Sequence, residues 1–140
     1  MVRHYNYYIA SRLVTGPSSA SVAALLRDKS DEAFSRADLL AQRLVELGDT
    51  PTPKLTNLVD AATDKPFKLP DDLSDVEGLL RAVLDAERTS MRTHRSIHAM
   101  TRDRDPLTAD LALNLLRKAI EGEQTLEKLL GGSAPEMTGT

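Results

Sequence analysis

Pro17, the group Pro51, Pro53, Pro66 and Pro70, and then Pro106 divide this chain into stretches whose apolar residues recur at helical spacing. Proline lacks the amide proton that a helix interior needs, so each of these positions marks a start or a stop. Between them, apolar residues return every three or four positions with charged residues opposite, and no strand-like alternation of useful length appears. The expected fold class is all-α.

The spacing predicts a first helix over residues 3 to 14 bearing Tyr5, Tyr8, Ile9 and Leu13, stopped by Thr15-Gly16-Pro17. A second begins among the serines at 18 to 21, carries Val22, Leu25, Leu26, Ala33, Ala37, Leu40, Leu44 and Leu47, and ends at Gly48 as a C-terminal cap. The long connection from Asp49 to Asp72 is interrupted by Lys54 to Ala62, which reads as a two-turn helix. Ser74-Asp75-Val76-Glu77 has the form of a capping box and opens a third long helix to about Arg102. Asp105-Pro106 is an N-cap followed by proline at the first helical position, starting a last helix that runs to Gly131-Gly132. Residues 1–132 are thus expected to form a single helical domain, a four-helix bundle with a short helix in the connection between helices two and three. Residues 133–140 read as a polar C-terminal tail.

With 140 residues the chain is long enough for one core. Aromatic residues are only 4% and Trp is absent, so that core must be built from Leu, Ala and Val. A formal charge of −3 gives no global field for holding nucleic acid or an anionic membrane. Without cysteine, disulfides, thiolate catalysis and cysteine-ligated zinc are excluded. No apolar run approaches a membrane span, so the expectation is a cytoplasmic protein with no membrane partner.

A few side chains carry chemistry. Glu87 lies on the apolar stripe Val76, Leu80, Val83, Met91 and His94, where a carboxylate needs a partner, a proton or a metal. His94 and His98 are four apart, a spacing able to bind a transition metal, although two histidines alone make a weak site. Seven residues separate Glu87 from His94, about 10 Å along a helix and too far for shared coordination. Arg88, Arg92 and Arg95 share a helical face that suits phosphates. The other account of that face is a solvated surface paired with Asp85, Asp103 and carboxylates of neighbouring subunits. All three tyrosines fall among Tyr5, Tyr7 and Tyr8, where packing explains them most simply. No P-loop, dinucleotide-binding glycine pattern or nucleophile elbow occurs.

Several local runs carry a resemblance: Tyr5-Asn6-Tyr7-Tyr8, Arg43 to Gly48, Leu69-Pro70 with Asp75-Val76, Ala86-Glu87-Arg88, Asp105-Pro106-Leu107-Thr108 with Leu111-Ala112-Leu113, and Leu129 to Gly132. With the long connection between helices two and three, the chain resembles the ferritin-like superfamily, and within it the Dps-like miniferritins of archaea and bacteria. That resemblance implies a hollow twelve-subunit shell and oxidation of ferrous iron at a di-metal site of carboxylates and histidines. Glu87 matches a ligand position. The family's two Glu-x-x-His pairs are replaced by Ala33 with Arg36 and by Ala119 with Gly122, and the first-helix glutamate would fall before Met1, so that either the native start lies upstream or the first helix is shortened. By the same resemblance Arg36 faces Glu87 and forms a structural ion pair where the metals would lie.

The leading expectation is a non-catalytic, ferritin-like subunit with no cofactor. It would act as an oligomeric scaffold that docks to itself, to an active ferritin-like paralogue or to another macromolecular complex, through the groove a short first helix leaves. One alternative is an active iron-storage or peroxide-detoxifying miniferritin, with iron at a rearranged site of Glu32, Glu87, Glu123 and a histidine. The other is nucleic-acid binding through the arginines of helix three.

Overall fold

The computed structural model describes residues 2–48 and 67–131. They form four helices, α1 (Val2–Leu13), α2 (Ser19–Glu46), α3 (Val76–Thr101) and α4 (Pro106–Gly131), and no strand is found among the described residues. The expected short helix at Lys54 to Ala62 and the polar tail lie outside the described residues. No described helix is long and apolar enough to cross a membrane. The chain divides into two compact units, the first ending at Val76 and the second starting at Glu77.

In the first unit α1 packs along α2, and the face it buries differs from the expected one. Tyr7, Ala10, Arg3 and Ser11 are buried, whereas Tyr5, Tyr8 and Leu13 are exposed. The physical reason is size: Ala10 and Ser11 let the backbone of α1 come close, which rotates the bulkier Tyr5, Tyr8 and Leu13 outward. Tyr7 packs its ring against Phe67 at 5.4 Å between centroids, and the Asn6 side-chain oxygen accepts from the Phe67 amide at 2.8 Å. Tyr8 stays at the surface, where the Arg12 guanidinium sits 5.4 Å from its ring centre.

A polar clasp joins the two helices. Ser30 Oγ donates to the His4 carbonyl at 3.0 Å. The His4 Nδ1 lies 2.9 Å from the Ser30 carbonyl oxygen and 2.8 Å from Ser30 Oγ. Since a carbonyl only accepts, Nδ1 carries the proton and shares it between the two oxygens. With Ser30 buried, each of these polar groups is satisfied rather than stranded.

The turn into α2 is set by Gly16, whose φ of 100° belongs to the left-handed region. The neighbouring Thr15 amide donates to the Leu73 carbonyl at 3.0 Å, which brings the approach to α3 alongside the turn. A Cβ at Gly16 would stand 3.1 Å from the Ser74 Cβ. At the far end of α2, Gly48 takes a φ of 85°, and its amide donates to the Val45 carbonyl at 2.9 Å, as the expected C-terminal cap requires.

The capping box ahead of α3 differs from its sequence form. Ser74 donates its hydroxyl to Asp72 Oδ1 at 2.6 Å and its amide to the same oxygen at 2.9 Å, while Glu77 pairs with Arg81 at 3.5 Å. A carboxylate is the stronger acceptor, so it draws the serine backward and fixes a turn before the helix begins at Val76. Those two bonds, the hydroxyl's first, hold the Asp72 carboxyl below the usual carboxylate range.

In the second unit, α3 buries Leu79, Leu80, Val83, Leu84, Ala86 and Met91, and α4 buries Ala109, Ala112, Leu115, Ala119 and Leu126. Val83 and Leu126 are fully enclosed. The start of α4 follows the expected pattern: Asp105 Oδ1 accepts from the Thr108 amide at 3.2 Å, Thr108 Oγ1 donates to Asp105 Oδ2, and Pro106 opens the helix.

Gly16→Ala and Gly48→Ala both place a side chain at positive φ, which costs about 1 kcal/mol. Only at Gly16 does the added methyl also press on a neighbour, since nothing lies within 4 Å of a Cβ at Gly48. Urea unfolding should therefore show a clearly lower midpoint for Gly16→Ala than for Gly48→Ala. Equal midpoints would refute the close approach of this turn to Ser74.

Candidate functional site

The inward face of α2 holds Val22, Leu26, Lys29, Ser30 and Ala33. Lys29 is the residue that sequence reading missed: it is only 5% exposed, on the same stripe as Leu26 and Ala33. Its Nζ lies 3.4 Å from Glu32 Oε2, one turn away at the protein surface. The flexible stem of lysine packs as an apolar chain while its ammonium reaches toward the carboxylate. The signal available in the sequence was the three-residue step from Leu26 to Lys29, which keeps both on one side of the helix. Ala33 is buried at the position where the resemblance expects a glutamate, and Arg36, one turn on, is half-buried.

On α3, Glu87 and His94 are both buried, at 5% and 3% exposure, with Met91 buried between them. They share a stripe as expected. His98, one turn beyond His94, is half-exposed and its Nδ1 lies 3.1 Å from the Ala109 carbonyl of α4. That carbonyl can only accept, so Nδ1 bears the proton and ties the end of α3 to the first turns of α4. On α4, Ala119 and Gly122 are buried where the resemblance expects a second glutamate and histidine.

Arg88 is not a free phosphate ligand. Its Nε donates to Glu123 Oε2 at 2.8 Å, and an Nη group lies 3.4 Å from Glu127 Oε2, so the guanidinium forks across to two carboxylates on α4. The hydrogen bond to Glu123 raises the guanidinium's proton affinity above its ordinary value, and Arg88 stays charged throughout the working pH range. Asp85, expected as its partner, contributes only a minor attraction. Arg92 and Arg95 remain exposed, with Arg92 donating to Thr89 Oγ1 at 3.1 Å. Arg102 lies 3.9 Å from Asp103, both at the surface.

The carboxylates and histidines that the resemblance calls for are few on the buried faces of α2 and α4. Two dications in a dry bundle need several inward carboxylates to offset their charge. The inward face of α2 instead offers an ammonium, a serine and an alanine, and that of α4 an alanine and a glycine. The glutamates proposed for a rearranged site are engaged elsewhere: Glu32 is exposed beside Lys29, and Glu123 accepts from Arg88. Among the described residues, no group of three histidine, aspartate or glutamate side chains is placed to hold a metal ion.

Residues 1–133 match the ferritin-like domain family. The DNA protection during starvation protein of Pyrococcus furiosus is 30% identical over 129 residues, covering 92% of this chain and 69% of that protein. Among solved structures, the dodecameric thioferritin of Bacteroides fragilis, a bacterioferritin-related protein, is 26% identical with a TM-score of 0.84, over 96% of this chain and 79% of that one. Dps from Thermosynechococcus elongatus superposes with a TM-score of 0.83 at 20% identity, over 92% and 81% of the respective chains.

The Arg88 fork is partly exposed, so its worth is that of a screened pair. A double-mutant cycle with Arg88→Met and Glu123→Gln should give a coupling of about 0.5–1 kcal/mol, falling with added salt. Zero coupling at low salt would show that the contact contributes nothing.

Proposed function

Because the chain belongs to the ferritin-like family, as a Dps-like miniferritin with an all-α four-helix-bundle fold, we propose that it works as a self-assembling subunit that does not oxidise iron. The observation that carries this reading is the make-up of the inward helix faces. Ala33, Ala119 and Gly122 have no donor atoms in their side chains, and Lys29 places a fixed positive charge on the inward face of α2. Lys29 pairs with Glu32 at the surface, so its ammonium already engages one carboxylate that a rearranged site would need. Assembly is supported by the likeness to the Bacteroides fragilis protein, which is dodecameric. It is also supported by exposed Phe34 and Val45 on α2, Leu47 just after it and Leu107 on α4, apolar side chains that a neighbouring subunit would cover.

A second reading, compatible with the first, is nucleic-acid binding through α3. Arg92 and Arg95 are exposed on one face, and the Pyrococcus furiosus relative carries DNA protection in its name. With Arg88 held by α4, that face has fewer free guanidinium groups than its sequence suggests. Phosphate contacts by a polyvalent shell would still add across subunits.

Aerobic addition of ferrous iron, followed by ferric absorbance, together with native mass by light scattering, tests the first reading. Oxidation should run at the rate seen without protein, and the particle should be a multiple of the 15.3 kDa chain. Protein-dependent turnover would overturn the non-catalytic assignment, and a monomer would overturn assembly. For the second reading, duplex DNA should shift at low salt with the wild-type protein and not with Arg92→Ser/Arg95→Ser. No wild-type shift at low salt would remove it.

A further inference from the structure

We propose that Met100 is a reversible oxidation site: its thioether takes one oxygen atom from a hydroperoxide, and a methionine sulfoxide reductase working with a dithiol removes it again. The chain has no cysteine, so methionine supplies the sulfur that an oxidant can reach. Nothing in this depends on assembly or on nucleic-acid binding.

Of the four methionines, the two among the described residues both lie on α3, and their surroundings are opposite. Met91 is 6% exposed, on the buried stripe with Val83, Glu87 and His94, whereas Met100 is 65% exposed. Nine residues at about 100° each make two and a half turns, so the two side chains leave the helix on opposite sides, about 14 Å apart along its axis. A thioether has no proton to lose, so access of the peroxide to the sulfur lone pair decides which of the two reacts.

In the forward step the lone pair attacks one oxygen of the hydroperoxide. The S–O bond forms as the O–O bond breaks, and the other oxygen leaves, with a proton from the first, as water or an alcohol. Sulfur loses two electrons and the peroxide gains them. In the return step two thiols become a disulfide, the sulfur regains two electrons, and the oxygen leaves as water. A sulfoxide is polar: at Met91 it would be forced into apolar packing, while at Met100 it projects into water. The end of α3 is held without this side chain. Thr101 Oγ1 donates to the Ile97 carbonyl at 2.7 Å, the Arg102 amide to the His98 carbonyl at 3.0 Å, and the Asp105 amide to the Thr101 carbonyl at 2.7 Å. Met100 can therefore gain and lose an oxygen with the helix intact, and the exposure that admits the peroxide also admits a reductase.

The test treats the full chain with hydrogen peroxide in the presence of a chelator, quenches it over time, and weighs the tryptic peptides. Cleavage after arginine leaves Met91 as the one methionine of residues 89–92 and Met100 as the one methionine of residues 96–102. The Met100 peptide should gain one oxygen about tenfold faster than the Met91 peptide, or more, with circular dichroism unchanged while only Met100 is oxidised. Methionine sulfoxide reductases A and B, used together to cover both sulfoxide epimers, should then return that peptide to its original mass in the folded protein with dithiothreitol as reductant. Met100→Leu should abolish the gain in residues 96–102, which assigns the oxygen to sulfur rather than to His98. Equal rates at the two methionines, Met91 reacting first, a gain that persists in Met100→Leu, or loss of helical signal with the first oxygen would overturn the site. A sulfoxide that both reductases leave in place would overturn its reversibility.

Discussion

The ammonium of Lys29 constrains its surroundings more than any other group on α2. Taking a charge out of water costs several kcal/mol unless nearby carboxylates and hydrogen-bond partners replace the lost solvent. Lys29 meets part of that need through Glu32, whose surface position keeps the pair in touch with water. The side chains next to it on the stripe are small: Ser30 turns its hydroxyl to the His4 carbonyl, and Ala33 adds no polar group at all. This part of α2 therefore joins a satisfied polar clasp to α1 with a buried cation.

The second unit solves a similar problem differently. Arg88 spans from α3 to two carboxylates of α4, and His98 reaches the Ala109 carbonyl a few turns farther along. Between these polar ties lie the buried Met91, Ala112, Leu115 and Ala119, and Val83 and Leu126 are enclosed beyond the Arg88 tie. The ties add modest stability, but they fix the rotation of each helix, because a guanidinium bound to carboxylates four residues apart permits few alternatives.

Much of the fold was legible in the sequence because its boundaries use side chains with a single physical role. Asp105 before Pro106, Gly16 before Pro17 and Gly48 after a leucine-rich run each act through local backbone chemistry, and the helices begin and end where those residues direct. The stripe of α3 was legible for a related reason: a long helix samples its period many times, so Leu80, Val83, Glu87, Met91 and His94 define one face without ambiguity. The short α1 samples it only three times. There the tyrosines suggested one face, while the small residues Ala10 and Ser11 decided another. The partners of Arg88 were hidden for a different reason, since spacing within α3 carries no information about which carboxylates α4 presents. Lys29 was hidden because lysine is usually read as exposed, and only its three-residue step from Leu26 suggested otherwise.

The same physics bears on which residues fill the inward positions of a ferritin-like fold. A glutamate at a buried position such as Ala33 or Ala119 is tolerated only when a cation offsets its charge. Alanine there carries no such requirement, and it is the best helix former. Positions that fill volume behave oppositely: truncating Leu26 or Leu126 to alanine would open a cavity costing about 2–5 kcal/mol. Stability therefore selects strongly at the leucines and hardly at all for the donors, whose retention depends on use. A fold of this kind keeps its leucines whatever it does, and the residues at its inward polar positions are the ones that report its chemistry.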